Sequence, residues 1–177
     1  MRINPYGEDP VRLAVDLTGN PPTTAEELAV RCRSAGLVLD LPVREQDLAE
    51  TSAFLDRWAA VVDAPDNRTR ARLLNAMLLQ ASAYPRLTDH AGDGWHIHYR
   101  DSDLPLAAIL QALISVGTAL HLAGRGMHRL GRCAVTDCGR PFADMSRTGR
   151  QRYCSPGCAN RDAVRRHRVR ASSRYRS

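Results

Sequence analysis

At 177 residues with a formal charge of +6, the chain is long enough for one domain of ordinary size and a small appendage. No apolar run reads as approaching a membrane span, and no apolar stretch follows the first five residues as an export signal would; both points lead to the expectation of a soluble cytoplasmic protein with no membrane partner. The charge is unevenly placed: residues 1–124 hold 11 Arg against 16 acidic residues, and residues 125–177 hold 14 Arg against 3.

All 25 basic residues are Arg. GC-rich coding explains that bias in the body, but the planar fork of Arg still gives bidentate contacts to phosphate or guanine that Lys cannot copy.

The first ten residues, with two prolines and a glycine, are expected to lie loosely on the surface. Val11, Leu13, Val15 and Leu17 alternate with Arg12, Ala14 and Asp16, the period of a half-buried strand. Asn20-Pro21-Pro22 breaks the chain, and Thr24 with Glu27 makes a capping box for a helix that Gly36 ends. Cys32 lies in this helix as a bystander. A second helix is predicted over 43–62 with Leu48, Leu55, Ala59 and Val62 on one face. Pro65-Asp66 stops that helix and caps a third over 67–83, striped by Leu73, Leu74, Met77, Leu78 and Ala81.

After Pro85, residues 87–90 and 95–99 read as a β-hairpin around a turn at 91–94, with its signal at Asp93-Gly94. Trp95, Ile97 and Tyr99 share one face; His96 and His98 share the other. With Asp89 or His90 nearby, this His pair is the body's candidate for a metal or acid–base site, but no third ligand is placed, and a solvated strand face is the preferred reading. Asp103 is expected to cap a long apolar helix over 104–123 that turns Leu106, Ile109, Leu110, Leu113, Val116 and Leu120 inward, as the central helix or a self-association face. Gly124-Arg125-Gly126 then supplies a short hinge.

Two cysteine pairs follow, Cys133 with Cys138 and Cys154 with Cys158, separated by a polar loop bearing Arg and Gly. Thiolates suit Zn²⁺, and four of them close a tetrahedral shell that leaves no position for substrate water, so one structural zinc ion is expected. Paired disulfides, disfavoured without an export signal, or four unrelated thiols are the alternatives. Gly139 allows a sharp turn after the first pair. Ser155-Pro156-Gly157 turns the second pair into a run without Gly or Pro, so Cys158 should begin a helix, where free amides favour a thiolate. A knuckle followed by a pair at a helix start is the treble-clef arrangement, with Phe142 and Tyr153 as its small core. The fold class expected is therefore mainly α: a multihelical N-terminal domain (1–124) with one small β-hairpin, plus a C-terminal treble-clef-like zinc finger ending in a basic helix (125–177).

The segment Phe142-x-Asp144-x-Ser146-Arg147-x-Gly149-x-x-Arg152-Tyr153-Cys154, followed by Cys158-Ala159-Asn160-Arg161, resembles the zinc finger called CGNR. Ala159 stands for the family's Gly and Tyr153 for its usual Trp. The resemblance implies a mostly helical N-terminal domain of the ABATE kind, with a short first helix where the residues alone suggest a strand. It also implies a stress-induced transcription regulator.

If residues 159–172 are helical, Arg161, Arg165 and Arg168 recur on one side, flanked by Arg166 and Arg170, and Arg147, Arg150 and Arg152 of the loop add to the same field. Such charge attracts phosphate without choosing sequence, whereas Asn160 and Arg161 are the candidates to reach base edges. Their plainer roles are a helix cap for Asn160 and a bracing pair of Asp144 with Arg161. Double-stranded DNA is the expected partner and no catalytic residue is assigned. One small finger offers little area, so a homodimer or larger partner is expected, with the body dimerising or sensing a signal such as a small-molecule effector. The alternatives are an RNA-binding module, for which Tyr153 and Tyr175 are the only aromatic positions in the tail, and a metal-dependent enzyme centred on His96 and His98.

Overall fold

Residues 7–89, 95–101 and 103–174 are described by the computed structural model. The expectations for the first six residues, His90, the turn at 91–94 and Tyr175 fall outside them. Residues 8–19 form α1 (Glu8–Gly19), the helix of the two readings of this segment and not the strand that the alternation suggested. Pro10, Val11, Leu13, Ala14 and Leu17 are its buried side chains, and counting Ala14 as apolar turns a period of two into the helical one.

Helix α2 (Ala25–Ser34) starts as expected, with Thr24 Oγ1 accepting the Glu27 amide at 3.1 Å. The return arm of the box lands one residue early, because Glu27 Oε2 accepts from the amide of Thr23 at 2.8 Å. In α3 (Glu45–Val62) Leu55 and Val62 face inward, yet the largest buried groups are Phe54 and Trp58, outside the stripe read from sequence. Helix α4 (Asn67–Ala81) is capped by Asp66, whose Oδ1 accepts from Thr69 at 2.8 Å, and buries Leu74 and Met77.

Helix α5 (Leu106–Arg125) runs through the centre, against α1, α3 and α4. Contrary to the sequence reading it is long and apolar enough by composition to cross a bilayer. Here it is the core helix, with Leu110 and Ile114 fully enclosed. Asp103 does not cap it; Pro105 precedes it, and the buried Asp47 of α3 accepts from the Ala107 amide at 3.0 Å. Trp58 Nε1 donates to Thr118 Oγ1 at 2.9 Å, satisfying both polar groups inside the core. Gly117 lets α1 seat on α5: a Cβ there would stand 2.7 Å from that of Pro10.

Strands β1 (Arg86–Thr88) and β2 (His96–His98) pair antiparallel, with Leu87 opposite Ile97. The faces are the reverse of those expected. His96 and His98 are half-buried in a crevice shared with Ala112 and Leu113 of α5, whereas Leu87, Trp95 and Ile97 are exposed. Arg86, on the same face as the histidines, fixes this orientation through the Arg100 carbonyl at 2.7 Å and Asp101 at 3.2 Å.

In place of a short hinge, α5 passes Gly126 into a 3-10 turn (Met127–Arg129) and then β3 (Leu130–Arg132), which pairs with β4 (Pro141–Ala143). Leu130 joins the core of the helical body, and Ala143 and Met145 pack against it. Arg70 donates to the carbonyls of Val61 and Val62, at 3.0 Å each, and to that of Met127. Across the surface Arg132 forks onto Asp63 at 2.8 and 2.7 Å.

Candidate metal centre and the basic helix it positions

The β3–β4 hairpin carries Cys133 and Cys138 on its tip. The Cys133 amide donates to Arg140 O at 2.9 Å and that of Cys138 to Val135 O at 3.0 Å, which closes the knuckle. The second pair stands where α6 (Pro156–Arg174) begins. Ser155 Oγ accepts from the Cys158 amide at 3.2 Å, and Pro156 takes the first helical position, where a missing N–H costs nothing. Asn160 is therefore inside the helix and is not its cap.

All four Sγ atoms lie within 4.8 Å of one another, and three of the spacings are 3.6, 3.6 and 3.7 Å. A zinc–sulfur bond of about 2.3 Å in a tetrahedron sets sulfur atoms about 3.8 Å apart, so the donor set fits one Zn²⁺. The five cysteines are free thiols; Cys32 is buried in the body, where desolvation pushes its thiol up to about 12. Among the described residues, no other cluster of three or more His, Cys or carboxylate side chains meets in this way. His96 and His98 approach to 3.1 Å between their Nε2 atoms, without a third ligand in such a group.

The four sulfurs divide charge unequally. The guanidinium of Arg161, at 3.0 Å, and the hydroxyl of Ser155 bring Cys158 down to about 6. Burial and the neighbouring sulfurs push Cys154 up to about 12. Crowded thiols can all ionise only if a cation shares their charge, which is what the ion supplies while fixing the knuckle to the helix. Val135, not singled out from sequence, packs beside the sulfurs with Tyr153. Phe142 is buried on β4, opposite Gly131.

The loop between the pairs is folded by one carboxylate. Asp144, 2% exposed, accepts from the amides of Ser146 at 2.8 Å and Gln151 at 2.9 Å. Burial raises its pKa, but these hydrogen bonds and the Arg129 charge outweigh that and hold it below the usual carboxylate range. Its ionic partner is Arg129 at 3.5 Å, not the expected Arg161. Arg129 also donates to the carbonyls of Arg125 at 3.0 Å and Ser146 at 2.6 Å. Gly149, at φ +68°, gives it room, since a Cβ there would come 2.8 Å from the guanidinium carbon. The Asp-x-Ser-Arg-x-Gly pattern is thus a loop-folding device whose buried anchor, Arg129, lies upstream of the motif.

Every residue considered for nucleic-acid contact, namely Arg147, Arg150, Arg152, Asn160, Arg161, Arg165, Arg166 and Arg168, has an exposed side chain. Among the described residues, the guanidinium groups of Arg147, Arg150, Arg152 and Arg168 make no hydrogen bond or ion pair. Arg165 and Arg166 are partly neutralised by Asp162, at 3.0 and 3.1 Å. Asp162 is buried and also accepts from the Tyr153 hydroxyl at 2.7 Å, a bond that lowers the carboxyl pKa and raises that of the phenol. Asn160, Arg161, Val164, Arg165 and Arg168 line one open face of α6.

Residues 129–171 match the family model of the CGNR zinc finger. This segment is a zinc-binding module with four cysteine ligands. No curated protein matches the chain.

Proposed function

We propose that the finger binds double-stranded DNA and that the chain is a transcription regulator whose helical body dimerises or senses a small molecule. The observation that carries this reading is the exposed basic helix. Residues 163–168 of α6 are all exposed, and Arg165 Nη1 reaches back from this stretch to donate to Thr136 Oγ1 of the knuckle at 3.1 Å. The last twelve residues of α6, 163–174, span about 18 Å. A helix with its side chains is about 10–12 Å across and enters a major groove about 12 Å wide.

The loop arginines Arg147, Arg150 and Arg152, with Arg168 of the helix, meet phosphate and set affinity and register. Asn160 and Arg161 lie exposed near the base of the same face, where an amide and a guanidinium read adenine and guanine. Arg161 spends one donor on Cys158 and keeps the rest. A single module buries only about 600–1,000 Å² on DNA, which favours two copies on one site.

Zinc-loaded protein titrated at one ionic strength with duplex DNA, single-stranded DNA and duplex RNA tests the reading. Duplex DNA should bind tightest. A preference for RNA would replace the proposal, although Tyr153 is partly buried against the cysteine cluster, which leaves less of its ring to stack on a base.

A further inference from the structure

We propose that the cleft between α1 and the zinc finger is a binding site for a small organic anion, a carboxylate with an apolar body. The cleft has a volume of about 360 Å³, within the range of small-molecule sites, about 300–1,000 Å³. Its two walls come from different parts of the chain: α1 supplies one, and β4 with the folded loop supplies the other.

Each wall carries a cation. Arg140 passes its stem beside Gly19, and its guanidinium makes no hydrogen bond or ion pair among the described residues. Arg12, from α1, has only a 3.9 Å contact with Glu8 on the open helix surface. The one carboxylate on the lining is Asp16, and its Oδ2 is engaged by Arg31 through bonds of 2.7 and 3.1 Å. Two arginines therefore line the cleft, Arg140 unpaired among the described residues and Arg12 held only loosely by Glu8, an arrangement in which Arg captures a carboxylate.

Between them lie Val15, Pro141, Phe142 and Met145. Inorganic phosphate would leave that apolar surface wet, whereas an aryl or short alkyl group would cover it. Asn20 and Gln151 complete the lining with amide groups. The Gln151 amide nitrogen donates to Tyr153 O at 2.9 Å, which leaves its oxygen to accept from a ligand.

Cys154 and Ser155 also reach the cleft. One is a metal ligand and the other caps α6, so an occupant touches the base of the basic helix while its charge is held from α1. Control of DNA affinity by this occupant rests on the proposed function above; binding itself does not.

The test uses zinc-loaded full-length protein labelled with ¹³C at the methionine methyls, with phenylacetate as the probe, phenylacetamide as its neutral match, and inorganic phosphate. Met145 lines the cleft, and Met77 lies in the body core as an internal control. Phenylacetate should shift the Met145 methyl in a saturable way and leave Met77 still, with phenylacetamide and phosphate each at least about tenfold weaker. Arg140→Ala and Arg12→Ala should each weaken phenylacetate about tenfold, with an unchanged Met77 signal showing that the variants fold. An unmoved Met145 with phenylacetate, benzoate and hexanoate at millimolar concentration would overturn the proposal. So would full binding in both variants, or phosphate binding as well as phenylacetate. Because no DNA is present, these failures leave the DNA reading standing, and normal phenylacetate binding by a protein that ignores DNA would sink only that reading.

Discussion

Arg161 Nη2 lies 3.0 Å from Cys158 Sγ, so a residue on the face proposed to meet DNA also holds a ligand of the metal. An outer hydrogen bond to a ligand typically contributes about 10–100-fold to metal affinity. Arg161→Ala is expected to lower zinc affinity by about tenfold in competition with a chromophoric chelator. At saturating zinc it should still weaken DNA binding. Unchanged zinc affinity would mean that the contact does not hold the thiolate.

Asp144 and Arg129 are both nearly excluded from solvent, at 2% and 8% exposure. Removing one partner strands the other, so Asp144→Asn should cost about 3 kcal/mol of finger stability at neutral pH, read from urea midpoints. The pKa of Asp144 is lowered on folding, as is that of Asp63, where the Arg132 hydrogen bond is the main cause. Their contribution is therefore complete above the unfolded carboxylate range, about 4, and is lost as pH falls through the lower folded values. The acid side of the stability profile should flatten in Asp144→Asn. An unaltered profile would place the acid sensitivity elsewhere.

Gly117→Ala sets two effects against each other. Alanine in a helix interior is favoured by about 1 kcal/mol over glycine. The added Cβ would stand 2.7 Å from Pro10 Cβ and 3.2 Å from the Gly7 carbonyl oxygen, and such crowding costs about 1–3 kcal/mol. A fall of several degrees in Tm is expected. A rise would show that α1 shifts freely on α5.

The site was legible where chemistry constrains residue type. The four cysteines, the turn at Ser155-Pro156-Gly157 and the helix after it were all readable, because metal ligation and capping are local and tied to spacing. So were the caps at Thr24 and Asp66. What escaped depends on partners far away in sequence. The Asp47 cap of Ala107 is supplied across 60 residues, and the Asp144 partner is chosen by how β3 enters the finger. The hairpin faces were misread because hydrophobicity was taken to point inward, while Arg86 and the two histidines found their hydrogen bonds on the inner side. Over residues 11–17, Ala14 fits either period, and only packing against α5 decides.

Cys138→Ser removes one of four sulfurs that lie within 4.8 Å of one another. Stoichiometric zinc should be lost by elemental analysis, with the ellipticity of α1–α5 retained, since their core is built from residues outside the cysteine cluster. Retained stoichiometric zinc would contradict a four-thiolate site.

The salt dependence of duplex binding by zinc-loaded protein tests the central claim most directly. The logarithm of affinity should fall linearly with the logarithm of salt concentration, by about 0.9 for each phosphate neutralised. Arg165→Ala combined with Arg168→Ala should make that slope shallower by up to about 1.8. An unchanged slope in the double variant, or zinc-loaded protein that fails to bind duplex DNA even at low ionic strength, would contradict the account.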